Sequence, residues 1–322
     1  MRIPAGAALL VAGTALAACV TSAPAPVPAA APAAVPVRTA PGTSPKPEGR
    51  TTLDPKLVGF YARQEERLLS QGLLRLDGGG PDTPFDADRL ARAFVAVALY
   101  DEYAQGPGGR LVQGARQSRL RRWDRPVRIG LTFGGGVPVE VRRRDRGALA
   151  DYARRLSRVT GHPIELTDAA QANFHVLVLG EEERRAAGPL IRDLVPRVSS
   201  GSVIAATDLP TDIYCLALAF SEPDSFTYTS ALAVVRAEHP DLTRLSCYHE
   251  EIAQGLGLAN DSPAARPSIF NDDEEFALLT SHDELLLRML YDRRLRPGMT
   301  PAQAAPIARR IAGELLDGPG NI

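Results

Sequence analysis

Histidine, cysteine and tryptophan are all scarce here: five histidines, three cysteines and one tryptophan in 322 residues. The histidines fall at 162, 175, 239, 249 and 282, too scattered for their spacing to announce an imidazole metal site. Charge of one sign is missing as well. A net charge of −1 at pH 7 excludes the basic balance that nucleic-acid binding uses. No G-x-S-x-G elbow is present, which removes the usual support for a serine nucleophile. The triple glycine Gly78-Gly79-Gly80 lacks a following Lys-Ser/Thr and no strand leads into it, so it is not a phosphate loop. Arginine heavily outnumbers lysine. The arginines between Arg110 and Arg128, and from Arg142 to Arg146, read as a solvated face, with contact to anionic lipid or glycan as the alternative.

What is present first is an N-terminal address. Arg2 precedes an apolar run from Ala5 to Ala18, too short to span a bilayer as a permanent helix. The run ends in Leu16-Ala17-Ala18-Cys19, which resembles a bacterial lipobox, so cleavage before Cys19 and lipidation of that residue are expected. Val20, rather than an aspartate, follows Cys19 and favours sorting to the outer membrane of a Gram-negative cell. Several acyl chains on one residue anchor more firmly than one. Residues 1–18 therefore read as a lipoprotein signal peptide, and 19–50 as the anchor and a disordered Pro/Ala-rich linker. The membrane partner is met through Cys19, and the domain faces the periplasm. That compartment is oxidising, and Cys215 and Cys247 remain as a pair. A bridge between them is expected and would stabilise the fold by roughly 3–4 kcal/mol; two buried free thiols are the alternative.

Residues 51–117 read as an N-terminal helical segment. Asp54-Pro55 caps a helix with Leu57, Phe60, Tyr61 and Leu68 on one stripe, and a second helix runs from about Asp86 to Tyr103. Gly78 to Gly80 and Gly106 to Gly109 are the breaks around it. Residues 118–322 then give a strand (Pro126 to Phe133), a helix (Gly147 to Thr160), a short strand (Pro163 to Leu166) and a buried one (Phe174 to Leu179). Leu216 to Phe220 and Leu232 to Ala237 suggest an antiparallel pair. Ser281 with Glu284, and Thr300 with Gln303, read as capping boxes for two closing helices. The fold class is α+β.

The most informative stretch is Glu250-Glu251-Ile-Ala-Gln254-Gly-Leu-Gly257-Leu-Ala-Asn260-Asp261. Residues four apart share a helix face, so Glu250 and Gln254 project together with Glu251 beside them. Gly257 ends the helix cheaply and lets Asn260 or Asp261 fold back. The spacing resembles the H-E-x-x-H-x-x-G-x-x-H motif of zincin peptidases. That frame puts Glu250, Gln254 and Asn260 at the ligand positions and Glu251 at the general base. The histidines are gone. One carboxylate and two amides suit zinc poorly. Adding Asp261 makes an oxygen-rich set closer to calcium or magnesium. The expectation is no cofactor, with a hard divalent cation as the alternative and zinc disfavoured. His249 reads as a surface histidine at the edge of the cleft. Asn271 and Asp272 are further cleft candidates, although the acidic run from Asn271 to Glu275 reads first as a solvated loop and cap. Met299 near a turn reads as core packing.

The stretch from Cys247 to Asp261 resembles the bacterial domain-of-unknown-function family 2927. So do Arg266-Pro-Ser-Ile-Phe-Asn-Asp272, Leu290-Tyr-Asp-Arg-Arg-Leu-Arg-Pro-Gly-Met299 and Arg122-Trp-Asp-Arg-Pro126. The likeness covers roughly Ser118 to Met299. It implies a zincin-like fold in which Glu-Glu-x-x-Gln is the usual form, and carries no activity. The leading expectation is a catalytically silent zincin-like domain, a pseudoenzyme, that binds an envelope protein, a peptide or peptidoglycan. A hydrolase using Glu251 as general base is the alternative, and a glycan hydrolase using Glu250 and Glu251 a second.

Overall fold

The computed structural model describes residues 52–105, 111–222, 225–271 and 273–317. Cys19 and Asp272 lie outside the described residues. Helix α1 (Pro55–Ser70) starts as its sequence dictates: Pro55 takes the first turn and the Asp54 carboxylate accepts the Lys56 N–H at 2.8 Å. Helix α2 (Ala87–Ala98) is capped by Asp86 and buries Leu90, Phe94 and Val97. It stops five residues before the expected Tyr103. From Tyr100 the chain is extended, and β1 (Tyr100–Gln105) pairs antiparallel with β2 (Leu111–Gln117). The helical stripe ends at Leu99, and the tyrosines at 100 and 103 suit a strand better.

Then follow β3 (Arg122–Trp123), β4 (Val127–Phe133), α3 (Val139–Thr160), β5 (Ile164–Thr167) and β6 (Phe174–Leu179). Three short helices come next: α4 (Glu181–Ala186), α5 (Gly188–Leu194) and α6 (Ser200–Thr207). None was anticipated, because six to eight residues are too few for a helical period to show. Strands β7 (Cys215–Ser221) and β8 (Thr227–Arg236) lead into α7 (Asp241–Leu256), and α8 (Ser281–Leu290) and α9 (Pro301–Asp317) close the described chain. The α8 capping box uses Thr280 and Asp283, one residue upstream of the expected Ser281 and Glu284. That of α9 uses Thr300 and Gln303, as expected.

The sheet has six strands in the order β3-β8-β6-β4-β5, with β7 added antiparallel on β8 and every other pairing parallel. Alternation decides how it is covered. Phe174, Val176 and Val178 of β6, with Ala231, Ala233 and Val235 of β8, enter the main core under α3 and α7. Leu177, Leu179, Leu232 and Val234 enter a second cluster closed by Ile191, Val195 and Val203 of the short-helix segment. Both faces are covered, which is why these strands read as unbroken apolar runs. Helix α2 lies against α9 and α8, so the main core is continuous from the N-terminal helices to the C-terminal ones.

Cys215 and Cys247 are bridged, which ties β7 to α7 across 32 residues of sequence. Replacing both by alanine should lower unfolding free energy by about 3–4 kcal/mol in urea titration. A loss below about 1 kcal/mol would mean that the packing of β7 on β8 holds the strand without the bridge.

Candidate functional site

Four contacts fix helix α7. Its C-terminal half touches the sheet through Gly255, where a Cβ would stand 2.4 Å from the Phe174 ring, and the Gly255 carbonyl accepts the Trp123 indole N–H at 2.8 Å. Its middle is held to α3 by a buried fork. Arg244 donates Nε and Nη2 to the two carboxylate oxygens of Asp145 at 2.7 and 3.0 Å, and the Tyr248 hydroxyl donates to the same group at 2.7 Å. At its start, Glu65 of α1 accepts from the Thr243 N–H and hydroxyl at 2.9 and 2.7 Å. The fourth contact is the disulfide. Gly257, at φ 129°, ends the helix where a side chain would meet the Arg121 carbonyl at 2.3 Å, so glycine is required.

The face of α7 fixed in this way carries Glu250, Glu251 and Gln254 into a cavity of about 310 Å³. One wall is Tyr214, Cys215, Leu216 and Ala217, where β7 begins. Asp261 returns to the same cavity after the Gly257 turn, and its Oδ1 accepts from Gln254 Nε2 at 3.3 Å. Three further acids line it: the exposed Asp212, just before β7, and Glu102 and Glu274. Glu102 comes from β1, whose backbone N–H reaches the Ala259 carbonyl at 3.2 Å. Glu274 comes from the acidic run, held by the Leu74 N–H on its carbonyl at 2.8 Å and by its own left-handed backbone at φ 57°. That run is therefore not purely a solvated loop. Asp273 caps the Glu275 N–H and Glu275 pairs with Arg75 and Arg266, while Glu274 faces the cleft.

Burial and like charge act together on these acids. Glu250 is pushed well above the usual carboxylate range, first by desolvation and then by Asp261, Glu251, Glu274 and Glu102. Glu251 is pushed the same way by desolvation, Glu102 and Asp261. Glu251 is 4% exposed, and its Oε2 has no hydrogen-bond partner. One oxygen of each glutamate and the Cys215 sulfur lie within 4.8 Å of one another. Two ionised carboxylates at that spacing repel by about 3 kcal/mol at an effective dielectric of about 20.

Three expected site residues lie elsewhere. Asn260 turns toward α2, its amide donating to the Ala96 and Asp261 carbonyls at 2.9 and 2.7 Å, so it does not join the carboxylates. His249 is buried rather than superficial: it stacks on Tyr152 at 3.9 Å and accepts the Leu279 N–H on Nδ1, because the core closes over the back of α7. Asn271 is buried and donates to Asp273, away from the cavity. Met299 packs on the core. The residues present fit the zinc of the zincin frame poorly. The donors are oxygens, and the one nearby sulfur is committed to the disulfide.

A family model described as "Protein of unknown function (DUF2927)" matches residues 87–310. The chain belongs to the DUF2927 family. The match begins inside α2 and ends inside α9, so it includes β1 and Glu102, upstream of the stretch that carried the resemblance. No curated protein and no solved structure matches this DUF2927 member.

Buried histidines supply a pH test. Burial, helped by Arg236 and Arg244, pushes His239 down to about 3, while its Nε2–H donates to the Tyr214 carbonyl at 2.9 Å. A folded value below the unfolded 6.5 means stability that is present above pH 6.5 and lost as pH falls toward 3. The cleft glutamates, with raised values, act with the opposite sign, so the informative quantity is a difference. Between pH 7 and 5, His239→Gln should lose about 2 kcal/mol less stability than wild type; equal losses in urea titrations would show that His239 is not held neutral.

Proposed function

We propose that this protein is a lipid-anchored, periplasm-facing envelope component whose cleft binds an extended peptide segment along β7. The observation that carries this reading is the free edge of β7. Among the described residues that strand pairs only with β8. Tyr214 to Ala217 line the acidic cavity, and Ala217 to Ala219 line the adjoining groove with Glu102, Arg121 and Tyr228. An unpaired strand edge beside a cleft offers main-chain donors and acceptors to an incoming strand. The order β4-α3-β5-β6, then β7-β8-α7 after the three short helices α4 to α6, with an antiparallel edge strand next to the motif helix, supports a zincin-like ancestry for the arrangement. Apolar surface on the far side of Asp261, at Val95, Ala96 and Pro263, gives a side-chain pocket of about 430 Å³.

Strand addition has a signature that separates it from side-chain recognition, because alternate residues of the added strand bond to the edge. Peptides selected from a random library should lose at least about tenfold in affinity when N-methylated on one alternate set of residues and little on the other. Equal tolerance of both sets would overturn the reading.

Hydrolysis is the second reading, favoured by the unpartnered Glu251 Oε2 in the cleft. A base must first be ionised, and burial holds this group toward its neutral form, so binding ranks ahead of cleavage. If the selected peptides are cut, Glu251→Gln should slow cutting by about 10²–10⁴-fold; an unaffected rate would remove Glu251 from the chemistry. A glycan hydrolase on Glu250 and Glu251 is not supported, since consecutive residues of one helix do not flank a substrate.

A further inference from the structure

The cleft gathers its acids from separate parts of the chain. Glu250 and Glu251 come from α7, Asp261 from the turn after it, Glu102 from β1, Asp212 from the segment before β7, and Glu274 from the segment pinned to Leu74. Among the described residues no arginine or lysine lines the cavity. A gathering of acids alone means little, because exposed carboxylates often cluster without a ligand. Glu251 is the independent observation. Its side chain is 4% exposed, it lines the cavity, and its Oε2 meets no donor. A buried carboxylate oxygen left without a partner costs free energy that a bound cation would offset.

The donor type narrows the ligand. Glu250 and Glu251 each place an oxygen within a 4.8 Å cluster whose third member is the Cys215 sulfur. That sulfur is bonded to Cys247 and is no thiolate. The remaining donors are hard oxygens, so a soft or nitrogen-seeking ion gains nothing here. Calcium takes six to eight oxygens at about 2.3–2.6 Å in a flexible shell, whereas magnesium at about 2.0–2.1 Å demands a regular octahedron and gives up its water reluctantly. Acids delivered by several separate segments suit the irregular shell that calcium tolerates.

We propose that this cavity is a calcium site, with Glu250 and Glu251 as its central ligands and oxygens of Asp261, Glu102, Glu274 and the Gln254 amide completing the shell. The site shares its cavity with the peptide reading, since the start of β7 forms one wall, but its ligands come from outside β7, so the two can be tested separately.

The full chain, stripped with EDTA and dialysed, would be titrated calorimetrically with calcium, magnesium and zinc chlorides. One calcium per chain is expected, bound more tightly than magnesium or zinc. Glu251→Gln and Asp261→Asn, both near-isosteric, should each weaken calcium at least tenfold. Glu284→Gln is the control, because Glu284 pairs with Arg155 outside the cavity at 2.7 Å, and it should bind as wild type. Absence of calcium binding, tighter binding of zinc, or calcium affinity unchanged in both cleft variants would overturn the proposal. Peptide selection repeated in EDTA tests the other reading separately.

Discussion

The whole site depends on how closely α7 approaches the sheet. At Gly255 the helix backbone touches the Phe174 ring with no room for a methyl group, and Trp123 both stacks near that ring and bonds the Gly255 carbonyl. Interiors packed at this density transmit a displacement instead of absorbing it. A helix pushed outward at Gly255 would carry Glu250, Glu251 and Gln254 with it, and would strain the Asp145–Arg244 fork and the bridge to β7. The one tryptophan of the chain is therefore a seat for the functional helix, and the short parallel pairing of Trp123 with Tyr228 places it there.

Against that rigid frame, the carboxylates are a local concentration of unfavourable free energy. Burial and mutual repulsion push Glu250 and Glu251 toward the neutral form, and the frame prevents them from relaxing outward. Two acids elsewhere in the protein are neutralised by arginine. Asp145 has Arg244, and Glu181 has Arg184 and Arg236. The contrast is informative, because a chain this rich in arginine leaves the cleft without one in its lining. Strain of this kind persists where the surrounding structure over-determines it, and it collects at sites that meet a ligand.

The sequence made legible those features that depend on local period. The β6 and β8 runs, the α7 face carrying Glu250 and Gln254 and the Gly257 stop follow from neighbouring residues, and the Cys215–Cys247 pair from the two cysteines that remain once Cys19 is set aside. What stayed hidden depends on distant partners. Glu102 lies beside a glycine-rich stretch that reads only as a break, and it reaches the cleft because β1 passes the loop after α7. Glu274 sits in a run whose composition is that of a solvated cap, and only the pairing of Leu74 with that segment turns it inward. Asn260 misled for the converse reason. Its place in the motif frame is right, but its amide finds the open carbonyl at Ala96, near the end of α2.

These outcomes bear on how the motif should be understood. If the Glu-Glu-x-x-Gln helix were only a decayed zinc site, nothing would require acids from unrelated segments to converge on it. Glu102 and Glu274 stand outside the motif, and each is held by main-chain hydrogen bonds that have no part in ligand binding. Meanwhile the disulfide removes the one sulfur that could favour zinc and locks the free edge of β7 against the same helix. The spacing of the frame has been kept because it positions a helix face and a turn. The donors set upon it are hard oxygens, and the bridge that commits the nearby sulfur also ties the start of β7 to the same helix.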